Sequence, residues 1–264
     1  MKSVFDAEII GTECLTPGIF STWLSCPGAD FAEVKPGQFV GVFPNDPSAL
    51  LPRPISLCET DAEKKTVRLV YRTAGKGTAE LSGALPGQSF RVLGFLGNGY
   101  RTDALRGKHA VLFGGGRGIP PMLELAKELR NAGEGRITAV LGYRGAESLF
   151  LDEEFGKYCD AVIISTDDGS TGIHGTVIDA AELSELRPDV VCACGPMPML
   201  RGIKAYAARL GVQAFLSLEE RMACGVGVCL GCVCRTAHKD AHSNVNNARI
   251  CTEGPVFDAA EVEI

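Results

Sequence analysis

No stretch of the 264-residue sequence approaches the ~20 consecutive apolar residues of a membrane-spanning helix. The first ten residues lack a long apolar core and carry Asp6 and Glu8, so no secretory signal is expected. A large excess of one charge sign is missing too. The 26 basic and 32 acidic residues leave a net charge of −6, which excludes a generalised nucleic-acid binder but leaves room for a small basic pocket. Aromatic residues are sparse at 7%, yet 45% of the chain is hydrophobic, so a sizeable core needs no disulfides. There is no internal repeat and no low-complexity linker. At about 150 residues per domain, the length alone suggests roughly two domains.

Glycine and cysteine are what the chain does have, with 32 and 11 residues. An odd number of cysteines without an export signal argues for a reducing compartment, and a cytoplasmic location is expected. The first hundred residues read as short strands between turns. Phe39–Phe43 is an apolar run after a Pro-Gly turn, and Val67, Leu69 and Tyr71 alternate with Arg68, Val70 and Arg72. Pro86-Gly87 marks another turn before Phe90–Leu93. A small antiparallel barrel is expected, although the pattern does not reveal closure.

From about residue 101 the period changes. Strands are expected at His109–Phe113, Ile137–Leu141, Ala161–Ser165 and Val190–Cys194. Helices are expected at Pro120–Arg130, Asp152–Tyr158 and through Lys204–Leu210. That alternation predicts an α/β domain with a parallel sheet. Residues 215–264 break it and hold too little apolar material for a core of their own, so a metal centre is expected to order them. The division is therefore 1–100, 101–214 and 215–264.

Four motifs carry chemistry. Cys224, Cys229 and Cys232 form C-x4-C-x2-C, and Cys251 follows. This is the plant-type [2Fe–2S] ligand order. Glycines let such a loop turn its amides toward sulfur. Zinc is the rival reading, with Cys229, Cys232, His238 and His242 as candidates. The Cys232–His238 spacing is too short for a finger, and zinc leaves Cys224 and Cys251 unexplained. Cys234 reads as a small buried hydrophobe beside the cluster.

Gly114-Gly115-Gly116-Arg117-Gly118, between a strand and a helix, suits a phosphate cradle, or merely a tight turn. It is not G-x-G-x-x-G, because position 119 is isoleucine, and Arg144 rather than an acid ends the next strand. Cys194-Gly195-Pro196-Met197 follows a strand of the same unit, where ligands bind in such sheets. Arg53-Pro54-Ile55-Ser56, in the expected barrel, offers an arginine for a diphosphate or flavin and a serine for a flavin nitrogen. Alone, either of these last two is more often a turn or a surface feature.

In this order, the motifs resemble the ferredoxin reductase-like flavoproteins. Glu219–Cys232, Leu93–Gly99 and Thr166–Ser170 closely resemble the electron-transfer subunits of type B, NAD-dependent dihydroorotate dehydrogenases, and the resemblance runs end to end. It implies FAD at Arg53, Pro54, Ile55, Ser56, Val70, Tyr71 and Arg72. The diphosphate would lie at Gly77 and Thr78, just before a helix opening near Ala79. It implies NAD at Gly114, Gly115, Gly116, Gly118, Cys194, Gly195, Pro196 and Met197. The cluster would be held by Cys224, Cys229, Cys232 and Cys251. Phe95 stands where proline is usual. Arg117 and Arg144 leave NADPH open.

The same resemblance implies a partner, an FMN-containing dihydroorotate dehydrogenase catalytic subunit, two of each in a heterotetramer. Electrons from dihydroorotate would pass through that FMN, this chain's cluster and its FAD to NAD+, with the small residues around Val226–Leu230 suited to docking. No site for dihydroorotate is evident in this chain. Two other readings stay open: an NAD(P)H-dependent reductase subunit serving ferredoxin or another redox partner, and a metal-binding sensor module without flavin.

Overall fold

The structure, a computed structural model, describes residues 3–133, 135–239 and 244–264. His242 of the zinc reading lies outside them.

Strict alternation builds the first strand. In β1 (Ser3–Thr16), Phe5, Ala7 and Ile9 turn inward while Val4, Asp6, Glu8 and Ile10 face out. β2 (Ile19–Ser25), β3 (Phe39–Phe43), β4 (Arg53–Asp61), β5 (Thr66–Arg72) and β6 (Ser89–Leu96) complete a closed antiparallel barrel in the order β1-β2-β5-β4-β3-β6. Its interior holds Leu24, Val40, Val42, Ile55, Leu57, Val67, Leu69, Tyr71, Phe90 and Val92. A short helix, α1 (Lys76–Ser82), adds Leu81 to that core. Phe95 packs against Phe5 and Phe31, with ring centroids 6.2 and 5.1 Å away.

The α/β unit contains β7 (His109–Gly115), α2 (Ile119–Asn131), β8 (Arg136–Tyr143), α3 (Asp152–Phe155), β9 (Ala161–Thr166), β10 (Ile173–His174), α4 (Val177–Leu183), β11 (Val190–Cys194), α5 (Met197–Leu210) and β12 (Gln213–Ser217). Their sheet runs β10-β9-β8-β7-β11-β12-β15. The last of these, β15 (Val256–Asp258), comes from the C-terminal segment and pairs antiparallel with β12. That segment also forms a small sheet from β13 (Val233–Thr236), β14 (Asn247–Arg249) and β16 (Val262–Glu263). β12 itself crosses residue 215.

Three helix boundaries differ from the sequence reading by three residues or more. α1 opens at Lys76, so Gly77 and Thr78 lie in its first turn, because the Thr78 hydroxyl accepts N–H bonds from Ala74 and Gly75 at 2.9 and 3.3 Å. α3 stops at Phe155, ahead of Gly156, and single turns carry the chain to Cys159. α5 starts earlier than Lys204, at Met197, where Pro196 and Pro198 preset the entry.

Candidate functional site

β7 lies between β8 and β11, so strand order reverses there. The glycine loop leaves β7 and Cys194–Met197 leaves β11, which places both at the crevice where open α/β sheets bind ligands. The loops touch. A β-carbon on Gly118 would overlap the Cys194 carbonyl, and one on Gly115 would overlap the Met199 sulfur. Gly116 differs. Its φ is +51°, and a β-carbon there would meet nothing within 4 Å. Gly114 and Gly118 thus serve close packing, while Gly115 and Gly116 line a cavity of about 830 Å³.

That cavity joins residues from both units. Arg72, Gly115, Gly116 and Pro196 line it; so do Arg117, Arg144, Glu147 and Asp167. Sequence reasoning missed its other walls: Thr16, Pro17 and Ile19 of the barrel, Ser165 of β9, and Thr176–Ile178 at the head of α4. The Thr16 hydroxyl reaches across to the Glu147 carbonyl at 2.7 Å. Ser165 Oγ is buried without a hydrogen-bond partner and lines the cavity, so a polar ligand would satisfy it. Cys194 is 1% exposed, and burial pushes its thiol well above the usual range, so only its backbone is available to a ligand. Met197 packs against the core instead of the cavity.

On the barrel, Arg53 meets α1. A β-carbon on Gly77 would stand 2.6 Å from Arg53 Nε and 2.8 Å from Pro44 Cγ, so a larger residue there would have to displace the Arg53 guanidinium and press on Pro44. Arg53, Gly77 and Thr78 are therefore neighbours. Pro54 is exposed and Ser56 half-buried, while the Ile55 side chain is committed to the barrel core. Tyr71 turns inward and shares a hydrogen bond with Thr22 at 2.9 Å, so it can meet a ligand only through its backbone. Val70 faces the other way, into the core shared with the α/β unit.

The four cysteines form two pairs. Cys224 and Cys229 are in side-chain contact, and so are Cys232 and Cys251. Cys224 Sγ also accepts the N–H groups of Val226 and Cys229, at 3.4 and 3.5 Å. Desolvation raises the Cys224 thiol, but these donors outweigh it and leave it lowered to about 6. Cys251 is raised to about 11 by burial and by the adjacent Cys232. Among the described residues, no group of three or more His, Cys, Asp or Glu converges on a single metal ion. Two facing thiol pairs suit a two-iron cluster, in which each iron takes two protein thiolates. Gly225 and Gly227, with φ of +67° and +85°, turn the loop between them. Arg249 Nη1 donates to the Gly227 carbonyl at 3.2 Å, and the same guanidinium is held by Glu253. Cys234 belongs to neither pair; it stands opposite Ala248 on β13.

Comparison with known proteins bears on this assembly. Residues 219–263 match the family model of the iron-sulfur cluster binding domain of dihydroorotate dehydrogenase B. The dihydroorotate dehydrogenase B (NAD(+)) electron transfer subunit of Bacillus caldolyticus is 44% identical over 230 residues, covering 86% of each chain. That of Listeria monocytogenes serotype 4a is 41% identical, covering 90% of this chain and 91% of its own. This chain belongs to the family of dihydroorotate dehydrogenase B electron transfer subunits. Its fold extends further. A chain of an NADH-dependent reduced ferredoxin-NADP oxidoreductase superposes with a TM-score of 0.84 at 31% identity, over 97% of this chain and 89% of that one. A ferredoxin NADP+ reductase from Neisseria gonorrhoeae shares the fold alone, with a TM-score of 0.65 at 16% identity over 79% of this chain and 92% of that one. All four cysteines of the two pairs lie within the residues matched to the iron-sulfur domain.

Proposed function

We propose that this chain carries electrons between NAD(H) and a partner dehydrogenase subunit, using FAD and a [2Fe–2S] cluster. The observation that carries this reading is a row across three barrel strands. Ser56 on β4 stands opposite Phe39 on β3, and Phe39 opposite Leu96 on β6. Leu96 in turn lies 3.2 Å from where a β-carbon of Gly225 in the cluster loop would stand. Strands are ~4.8 Å apart, so about 10 Å of barrel separates the proposed flavin position from the strand under the cluster loop. Asn98 binds the same junction, donating to the carbonyls of Thr252 and Glu253 at 3.1 Å each.

In this proposal Arg53–Ser56 and Val70–Arg72 hold FAD, with its diphosphate at Gly77 and Thr78. Gly114–Gly116 and Gly118, with Cys194–Met197, shape the NAD site. Cys224, Cys229, Cys232 and Cys251 hold the cluster. A flavin exchanges electrons with NADH in pairs and with an iron–sulfur cluster singly, which is what such a path requires. The residues supply placement. Arg72, Arg117 and Arg144 line the cavity together with Glu147 and Asp167, and the glycine turn at Gly115–Gly116, between the end of β7 and α2, suits a phosphate. The Cys224–Cys229 pair is the more exposed, flanked by Val228 and Leu230 at 80% and 61% exposure, and would face the partner.

We further propose the division 1–100, 101–214 and 215–264 for the FAD, NAD and cluster parts, and a cytoplasmic location. No helix among the described residues is long and apolar enough to cross a membrane. The partner would be an FMN-containing subunit oxidising dihydroorotate to orotate, two copies of each chain assembling together. The likeness to a ferredoxin-NADP oxidoreductase chain supports a second reading, with the same chemistry serving ferredoxin. Anaerobic co-purification, with flavin analysis of what comes down, separates the two partners.

The isolated chain is expected to carry FAD and not FMN. FMN has a single phosphate and would leave the Arg53–Gly77 corner without a ligand group. Acid extraction and chromatography of the released flavin test this, and FMN alone would refute it.

A further inference from the structure

The barrel and the α/β unit are joined by buried charge away from the cavity. Arg68 on β5 is 5% exposed. Its Nη1 and Nη2 donate to the two carboxylate oxygens of Glu154 on α3, at 2.5 and 3.1 Å. On the barrel side the same guanidinium donates to Glu59 at 2.8 Å and to Ser21 Oγ at 2.9 Å, and it lies 3.6 Å from Glu13. A second bridge runs from α2. Glu124, 2% exposed, accepts both the N–H and the hydroxyl of Thr60 on β4. Lys127, one turn on, donates to the Thr60 carbonyl at 2.6 Å.

Three of the four elements so joined, β4, β5 and α2, carry or adjoin the proposed cofactor residues; α3 does not. β4 starts with Arg53–Ser56 and β5 ends with Val70–Arg72; α2 opens directly after the glycine loop. Apolar packing would hold these units together at least as well as buried ion pairs. A bidentate arginine–carboxylate fork adds a fixed distance and angle.

We propose that the Arg68–Glu154 fork, backed by Glu124 and Thr60, sets the geometry between flavin and pyridine nucleotide, making Arg68 and Glu154 positioning residues for hydride transfer. The inference rests on the functional reading above. Hydride transfer demands close alignment, and a misplacement of about 1 Å can cost roughly 100-fold in rate.

Anaerobic stopped-flow reduction of the FAD-loaded chain by NADH tests it. In Glu154→Ala and Arg68→Met, the rate at saturating NADH is expected to fall roughly 10- to 100-fold. FAD content should be retained and the NADH dissociation constant should stay within about twofold. Glu13→Ala, which loses only a barrel-side contact, should keep the wild-type rate. Glu154 is the safer variant, since its carboxylate lies on a short surface helix. An unchanged rate in folded, FAD-loaded Glu154→Ala would overturn the proposal, as would a loss confined to NADH affinity. If NADH fails to bleach the wild-type flavin, the functional reading falls and this inference with it; normal wild-type reduction beside an unchanged variant removes the fork alone.

Discussion

A Cys251→Ser substitution is expected to abolish the EPR signal of the reduced cluster while NADH still bleaches the flavin. Cys251 is 1% exposed and pairs with Cys232, which is 2% exposed, and both share a core cluster with Phe39 and Leu96 of the barrel. A serine hydroxyl is a poor replacement for a thiolate, and no other thiol can take its place. Cys234, the nearest alternative, is held on β13 opposite Ala248. Cys224→Ser, Cys229→Ser and Cys232→Ser should have the same effect, because each pair serves one iron. Cys234→Ser should keep the signal. Electrons should still enter from NADH in every case, because none of the four cysteines lines the cavity. The segment also depends on the cluster for order. Residues 219–263 contribute few large side chains to the core, so loss of the cluster should lower the melting temperature as well. A cluster lost in Cys234→Ser and kept in Cys251→Ser would overturn the ligand assignment.

Legibility in the sequence followed the range of the interactions. The runs at Phe39–Phe43 and Val190–Cys194 match β3 and β11 residue for residue, because continuous burial leaves its mark locally. The alternation around Val67–Arg72 located β5 but not the fate of its second face. Arg68 and Val70 read as the outer residues of a barrel strand, yet both are buried, because α2 and α3 cover that face. Nothing near Arg68 in sequence announces Glu154. β15 escaped notice for the same reason: three residues inside the cluster segment pair with β12 of the α/β sheet. In the candidate site, the glycine loop and the cysteine spacing were visible because each is a local solution to a local chemical need. The cavity's barrel wall at Thr16–Ile19 was not, since only folding brings a hairpin turn of β1 and β2 to the edge of β8. The helix at Lys76 was displaced by a few residues because its N-cap is Gly75, which offers no capping side chain, and the Thr78 hydroxyl that accepts the Gly75 N–H already lies inside the first turn.

Two glycines of one loop should respond to substitution in opposite ways. Gly116 has a left-handed φ of +51° and open space beyond its α-carbon. A side chain there would enter the space where a dinucleotide phosphate approaches the amides. Gly116→Val should therefore raise the NADH dissociation constant while FAD stays bound. Losing one or two charge-assisted hydrogen bonds, at about 1.5–3 kcal/mol each, corresponds to roughly 10- to 100-fold or more. Valine also strains a left-handed backbone by about 1–2 kcal/mol. Gly116→Asn, which tolerates that conformation, separates strain from obstruction: if obstruction governs, Asn weakens NADH binding too. Gly118 is the contrasting case. Its φ is ordinary, but a β-carbon would collide with the Cys194 carbonyl, the contact that seats α2 against the end of β11. Gly118→Ala should cost about 1–3 kcal/mol of stability, as overpacking does, and lower the melting temperature of the whole chain. Titration of NADH against flavin-loaded protein, with thermal melting in parallel, distinguishes the two. Flavin loss with unimpaired NADH binding in Gly116→Val would show that the cavity belongs to the flavin and that the two nucleotide sites are exchanged.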